Sequence, residues 1–196
     1  MKILKYIITI FIFFSSSLLA VEGPDLFLKN SVKEISAFIS ENKKALDSDD
    51  NFLRLKVDEL VIPKLDIELM SKIVLGKKHW TKMSASQKKR FQLAFRGLMV
   101  STYMKSLTSF DGEKIKFLPY EKGKRDDVAR VKSVYLLNEG ELQVSYSLKM
   151  NQSGSWKVYD INIDGISLLR NYRSDFRSHI ERNSMDSLIE ELESKR

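Results

Sequence analysis

The segment NEGELQVSYSLKMNQSGSWKVYDINIDG, residues 138–165, decides the fold class. Apolar and polar residues alternate between positions 142 and 150, which is typical of a strand with one buried face. Residues 138–140 predict a hairpin turn before that strand, and residues 151–154 predict a second turn before a strand over 156–164. Consecutive strands joined by short turns pair antiparallel, so this segment predicts the centre of an antiparallel sheet.

The rest of the chain predicts further strands and a set of helices around this sheet. Two strands are expected before the segment, over residues 114–118 and 128–137. Helical spacing of apolar residues predicts helices over 25–46, 52–61, 66–75, from Ser84 to about 110, 168–182 and 185–195. Ser84 and Gln87 form a capping-box pattern at the start of the longest helix. The sequence therefore predicts an α+β fold with a helical part at 25–110, a sheet of about four antiparallel strands at 114–164, and C-terminal helices at 168–195.

The first twenty residues differ from the rest of the chain. Lys2 and Lys5 precede and flank an apolar run, which is followed by serines and then Ala20. A basic start, a short apolar run and small residues are typical of a secretory signal peptide, and the run is too short for a membrane anchor. We expect residues 1–20 to be a signal peptide cleaved near Ala20, and residues 21–196 to be one domain in a bacterial periplasm.

Composition limits the classes of partner. The chain has no cysteine, so we expect a released, soluble protein whose core is stable without disulfides. The formal charge is +7, and the loss of Lys2 and Lys5 with the signal peptide leaves +5. This excess favours anionic surfaces such as lipid headgroups, but it is too small and dispersed to predict nucleic-acid binding. Because no oligomerisation element is recognisable, we expect a monomer.

Residues 160–165, DINIDG, match the first half of an EF-hand calcium loop. The twelfth position of such a loop must supply a bidentate carboxylate, and here that position is Asn171. The element that enters the loop is also predicted to be a strand. We therefore predict no metal site, with Asp160 and Asp164 as outward or end-of-strand residues and Gly165 as the turn into the next helix.

The sequence contains no recognisable catalytic constellation. It has no cysteine nucleophile and no serine in a G-x-S-x-G context, and His79 and His179 have no evident partner residue. Asp160 and Asp164 are candidates for an acid–base pair in a cavity, so an enzyme remains an alternative, as does a structural envelope adaptor with a filled core. We predict no catalytic residue, no metal ligand and no cofactor.

Motifs spread between residues 75 and 189 carry a family resemblance. They are LG at 75–76, Trp80, Ser84, Gln87, FxxxF at 91–95, Tyr103, WKVYD at 156–160, DGIS at 164–167, NYRxxF at 171–176 and MDxLI at 185–189. Together they resemble the MlaC or toluene-tolerance family, the periplasmic phospholipid-binding component of the Mla pathway. The resemblance extends over residues 26–195.

The resemblance implies a sheet similar to that of NTF2-like domains and a helical subdomain, arranged around an apolar cavity. Periodicity alone leaves a cavity and a filled core equally open. It also implies a phospholipid carrier between an outer-membrane lipoprotein complex and an inner-membrane ABC transporter complex with its substrate-binding domain protein. Such a carrier maintains outer-membrane lipid asymmetry, and its cargo is phospholipid.

The expected lipid-binding residues are apolar and aromatic side chains on the inward faces of the helices and strands. They are Val74, Phe91, Phe95, Leu98, Met99, Thr102, Tyr103, Val131, Val144, Tyr146, Leu148, Tyr159, Ile161, Ile163, Ile166, Leu169, Tyr172 and Phe176. Arg170, Arg173 and Arg177 share one face of the helix predicted over 168–182, and we expect them to dock partner proteins.

Overall fold

The computed structural model describes residues 22–110 and 112–195, so the predicted signal peptide lies outside the described residues. The helices are α1 (Pro24–Ser48), α2 (Asp50–Lys56), α3 (Ile67–Trp80), α4 (Ala85–Thr108), α5 (Leu168–Arg182) and α6 (Met185–Ser194). A π-helical turn (Val57–Val61) and a 3-10 turn (Ile62–Lys64) connect α2 to α3. None of the helices in this part of the chain has both the length and the apolar character needed to cross a bilayer.

The strands form one antiparallel sheet, which confirms the predicted α+β class. They are β1 (Lys114–Phe117), β2 (Glu121–Lys122), β3 (Val128–Leu137), β4 (Gly140–Met150), β5 (Trp156–Ile163) and β6 (Ile166–Ser167). The order across the sheet is β1-β3-β4-β5-β6, and β2 also pairs with β3. The predicted strands correspond to β1, β3, β4 and β5, so the sheet differs from the prediction by two strands of two residues each.

The β5–β6 turn accounts for one of the additional strands. Asp164 and Gly165 have φ angles of 47° and 85°, which are the left-handed values that a two-residue type I′ hairpin turn requires. Ile163 therefore pairs with Ile166 across the turn. The prediction that Gly165 leads directly into a helix is wrong, because the chain first forms β6 and only then enters α5.

A β-bulge in β5 decides which of its side chains face α1. The register between β4 and β5 shifts between Ser147 and Leu148, which leaves Tyr159 as an extra residue in β5. Val158 and Ile161 consequently contact the same apolar cluster on the sheet, whereas Tyr159 packs against the helices. Simple alternation, which placed Tyr159 on the same face as Ile161, is therefore wrong at this position.

Buried side chains form three clusters. The helical core lies between α3, α4, α5 and α6, and in it Phe95 packs within 5.8 Å of Phe91 and 5.7 Å of Phe176, measured between ring centroids. The sheet core covers one face of β3, β4 and β5 and includes Leu28 from the start of α1. The α1–α4 core joins the second half of α1, including Ile39, to α2 and the second half of α4.

Polar contacts hold the start of α1 against the sheet. The indole Nε1 of Trp156 donates to the carbonyl oxygen of Glu22 at 2.9 Å, just before α1. Farther along the helix, Lys64 Nζ and the Glu34 carboxylate form an ion pair at 2.8 Å. These contacts tie α1 to β5 and to the segment that precedes α3.

Replacement of Phe95 by alanine should lower the free energy of unfolding by about 3–5 kcal/mol, because the ring is completely buried in the helical core. Denaturant unfolding followed by circular dichroism measures the change. Leu93→Ala is the matched control on the same helix, since Leu93 is 40% exposed, and it should cost less than about 1 kcal/mol. Equal losses in the two variants would contradict the assignment of Phe95 to a filled core.

Candidate functional site

An apolar cavity of about 470 Å³ lies between α1 and the sheet, within the size range of small-molecule sites. From the helical side it is lined by Phe27, Leu28, Ser31, Val32, Ile35, Ser36, Ile39, Val61, Lys64, Leu65, Ser106, Leu107, Ser109, Phe110 and Glu113. From the strands it is lined by Tyr135, Leu137, Leu142, Val144, Tyr146, Val158, Ile161 and Ile163. One wall is therefore a helix face and the opposite wall is the inward face of the sheet.

The cavity exists because α1 belongs to two different cores. Leu28, at the start of the helix, is buried in the sheet core, and Ile39, three turns later, is buried in the α1–α4 core. Between them, Val32 and Ile35 continue the same apolar stripe and line the cavity. The helix leaves the sheet as it approaches α4, and its apolar stripe faces the space that opens between them.

The two ends of the cavity differ in exposure. Ile163 and Leu137 line one end and are 45% and 42% exposed, respectively. Leu28 and Val158 line the other end and are buried. At that end, Phe27, Ser31 and Lys64 line both the cavity and a polar cleft on the surface. We call the end beside Ile163 and Leu137 the open end.

Two tyrosine hydroxyls provide a polar contact inside the apolar wall. Tyr135 Oη and Tyr146 Oη lie 2.9 Å apart. Burial raises the pKa of both phenols, and a hydrogen bond from Ser133 acts in the opposite direction on the Tyr146 pKa. Both phenols therefore remain neutral near physiological pH and keep their protons for hydrogen bonding.

The structure distributes the predicted lipid-binding residues over several environments. Those that line the cavity are Val144, Tyr146, Ile161 and Ile163. Those buried in the sheet core beside it are Val131 and Leu148. Those in or packed against the helical core are Val74, Phe91, Phe95, Leu98, Met99, Tyr159, Leu169, Tyr172 and Phe176. Those on the surface are Thr102, Tyr103 and Ile166.

Sequence reasoning missed the entire contribution of α1 and of the end of α4. The apolar stripe of α1 was evident from its spacing, but no sequence signal says which part of the fold that stripe faces. Leu142 belongs to the same alternation as Val144, so the pattern could have identified it. Val158 was missed because the bulge at Tyr159 shifts the alternation in β5.

The aspartates of the calcium-like segment have structural roles. The Asp160 carboxylate accepts hydrogen bonds from Ser167 Oγ at 2.8 Å and from the Leu169 amide at 3.2 Å, at the start of α5. The Asp164 carboxylate accepts from the Gln143 amide at 3.1 Å and supports the β5–β6 turn. Within residues 22–110 and 112–195, no group of three or more His, Asp or Glu side chains is placed to hold a metal ion.

A second concave feature, which we call the basic groove, lies between α3 and α5. It has a volume of about 240 Å³ and is lined by Val74, Leu75, Gly76, Lys77, Lys78, His79, Arg173, Arg177 and Glu181. Gly76 interrupts α3 with a φ of 70°, and a Cβ at this position would lie 3.3 Å from Arg173 Nη2. Glycine therefore permits both the break in the helix and the close approach of the guanidinium group.

The three arginines expected to dock partners are separated by the structure. Arg173 and Arg177 line the basic groove, whereas Arg170 lies outside it, exposed in the first turn of α5. Arg177 forms an ion pair with Glu181 at 2.8 Å. Lys77 and Lys78 from α3 add to the positive charge of the groove.

Comparisons with known proteins identify similar chains. The profile of the MlaC protein family matches residues 29–194. The intermembrane phospholipid transport system binding protein MlaC of Haemophilus influenzae is 23% identical over 194 residues, covering 97% of this chain and 90% of that one. The toluene tolerance protein Ttg2D of Pseudomonas putida is 25% identical over 169 residues, covering 85% of this chain and 77% of that one. A phospholipid-binding protein from Ralstonia solanacearum, solved in complex with a phospholipid, superposes with a TM-score of 0.80 at 23% identity, over 89% of this chain and 97% of that one.

Replacement of Asp160 by alanine should lower the free energy of unfolding by about 1–2 kcal/mol, because Ser167 and the start of α5 lose their acceptor. Thermal and denaturant unfolding measure the change, and addition of calcium should leave the wild-type midpoint unchanged. Asp175→Ala is the control, because Asp175 is exposed on α5, and this change should leave the free energy of unfolding nearly unchanged. A calcium-dependent rise of the midpoint that disappears in Asp160→Ala would instead support a metal site.

Proposed function

The chain belongs to the MlaC family, and on that premise we propose that it is a phospholipid carrier whose cargo inserts its acyl chains between α1 and the sheet. The observation that carries this proposal is the apolar cavity of about 470 Å³, which is closed at the end beside Leu28 and open beside Ile163. The similar proteins are named for phospholipid transport, phospholipid binding and toluene tolerance. The cavity and the family membership therefore support the same activity.

The energetics of acyl chains explain why a carrier needs such a cavity. Each methylene group removed from water contributes about 0.8 kcal/mol, so a two-chain lipid does not leave a membrane without an apolar site to enter. A headgroup can remain in water, and the open end leaves space for it. The side chains that enclose the cavity are therefore apolar over most of its wall, with few polar groups.

The alternative of an enzyme on the same scaffold is not favoured. Asp160 and Asp164, the candidate acid–base pair, are held by hydrogen bonds at the start of α5 and in the β5–β6 turn. Neither aspartate is among the residues that line the cavity. The similar proteins carry binding and transport names, so the chain is a binding protein and not an enzyme.

We infer that the protein acts in the periplasm between two membranes. The signal-peptide pattern over residues 1–20 supports export, and the family supports a route between an outer-membrane lipoprotein complex and an inner-membrane ABC transporter complex. Its role there is to maintain outer-membrane lipid asymmetry.

The basic groove is the surface that we propose for docking to these complexes. Arg173, Lys77 and Lys78 give it a positive charge that complements an acidic protein surface. It lies between α3 and α5, and the lipid cavity lies between α1 and the sheet. Docking at the groove therefore leaves the cavity walls free to release or accept a lipid.

Val144→Trp should abolish lipid binding while the protein remains folded, because the larger side chain fills the cavity from the sheet wall. Organic extraction of the purified protein followed by mass spectrometry should find stoichiometric phospholipid in the wild type and almost none in the variant. Gln143→Trp is the matched control, since Gln143 is exposed on the same strand and should retain the lipid. A wild-type protein that is empty and takes no lipid from vesicles would contradict the carrier function.

Arg173→Glu should slow lipid transfer to membranes that contain the partner complexes by about tenfold, because charge reversal opposes docking. Uptake from plain vesicles should be unchanged. A fluorescent phospholipid followed during transfer measures both rates, and added salt should slow the wild-type transfer in the same direction. Lys44→Glu, at an exposed position on α1, is the control. Identical transfer rates in wild type and Arg173→Glu would rule out the groove as the docking surface.

A further inference from the structure

The paired hydroxyls of Tyr135 and Tyr146 are polar groups in the wall that the strands contribute to the cavity, and the other side chains of that wall are aliphatic. We propose that this pair recognises an ester carbonyl of the bound lipid, with Tyr135 donating the hydrogen bond. The proposal rests on the carrier function and adds a chemical selectivity to it. The site would favour diacyl lipids over ether lipids that have the same headgroup and chain length.

The first argument is the number of protons. Only one of the two phenol protons can lie between oxygens that are 2.9 Å apart, so the other phenol is able to donate to a further acceptor. Ser133, the third hydroxyl at this place, hydrogen-bonds to Tyr146 and lowers its pKa against the larger effect of burial, so Ser133 is the donor in that contact and takes up neither phenol proton. When Tyr146 donates to Tyr135, the proton of Tyr135 is left for a further acceptor in the cavity, whose lining also includes the Glu113 carboxylate.

The second argument is position along the sheet. In the pairing of β3 with β4, Tyr135 lies opposite Leu142. Tyr146 lies four residues beyond Leu142 on β4, which corresponds to about 13 Å along the strand. Because their hydroxyls nevertheless touch, both side chains lean toward the residue pair between them, Ser133 and Val144. The hydroxyl pair therefore lies above the middle of this short stretch of the sheet.

That middle row reaches the open end of the cavity at β5, while the cavity lining continues past it along β3 to Leu137. Val144 pairs in turn with Ile163, which is 45% exposed and marks the open end. In a phospholipid, the ester carbonyls lie only a few bonds below the phosphate, where the headgroup meets the acyl chains. A lipid with its headgroup in water at the open end and its tails toward Leu28 consequently places its ester groups beside the two hydroxyls.

The third argument is the energetic cost of these hydroxyls. If the cavity held only hydrocarbon, phenylalanine at positions 135 and 146 would line it equally well and would bury no polar atom. Tyr146 is buried and Tyr135 is half-buried, and both rings already provide apolar surface. Their hydroxyls are therefore better explained by a polar group of the ligand than by packing of the wall.

The proposal can be tested with vesicles that contain equal amounts of two phosphatidylglycerols, one with ester-linked and one with ether-linked chains of the same length. Mass spectrometry of the lipid taken up gives the ratio of the two. Wild-type protein should enrich the ester lipid about three- to tenfold, as expected for one hydrogen bond. Tyr135→Phe should bring the ratio close to that of the vesicles, because uptake of the ester lipid loses its hydrogen bond. Tyr120→Phe is the control, since Tyr120 lies between β1 and β2 and outside the cavity lining.

The outcomes separate this proposal from the carrier function. If wild type takes up both lipids without enrichment, or if Tyr135→Phe keeps the enrichment, the ester contact is wrong and the carrier function stands. If wild type takes up neither lipid, the carrier function fails and the ester contact fails with it. An unchanged circular dichroism spectrum and unfolding midpoint show that Tyr135→Phe is folded.

Discussion

The cavity depends on the way in which α1 divides its apolar stripe between two cores. Leu28 is buried against the sheet, and Ile39 is buried against α4 and α2. A helix that packed along the sheet for its whole length would leave no cavity, and one that packed only on α4 would leave the sheet exposed. Because α1 packs on the sheet at its start and on α4 in its second half, it covers part of the sheet and leaves an apolar space beside it. The walls of that space are stabilised when a hydrocarbon ligand fills it.

The rest of the fold supports this arrangement. The helical core around Phe91, Phe95 and Phe176 is filled by aromatic rings, so it provides rigidity and leaves little room for a ligand. Asp160 fixes the start of α5, and the β5–β6 turn ends the sheet close to the open end. We therefore propose that stability and cargo binding depend on different parts of the same domain, while the basic groove provides a third, charged surface.

The fold was predictable from the sequence because its signals are local. Alternation in β4, turn residues at 138–140 and 151–154, and the capping box at Ser84 each depend on neighbouring residues, and the structure contains all of these elements. The cavity was predictable only in part, because its walls come from segments that are distant in sequence. Phe91 and Phe95 have the same helical spacing as a lipid-facing stripe, and nothing local distinguishes such a stripe from a filled core. The bulge at Tyr159 has no evident sequence signal, and it decides that Val158 faces the cavity.

The central claim is that acyl chains lie between α1 and the sheet, and photo-crosslinking tests it most directly. A phospholipid with a photoreactive group at the end of one acyl chain would be loaded into the wild-type protein, irradiated, and mapped by peptide mass spectrometry. The account predicts that the label is found on peptides from the closed end of the cavity, which contain Leu28 or Val158. Labelling concentrated on Phe91 or Phe176, in the helical core, would contradict it.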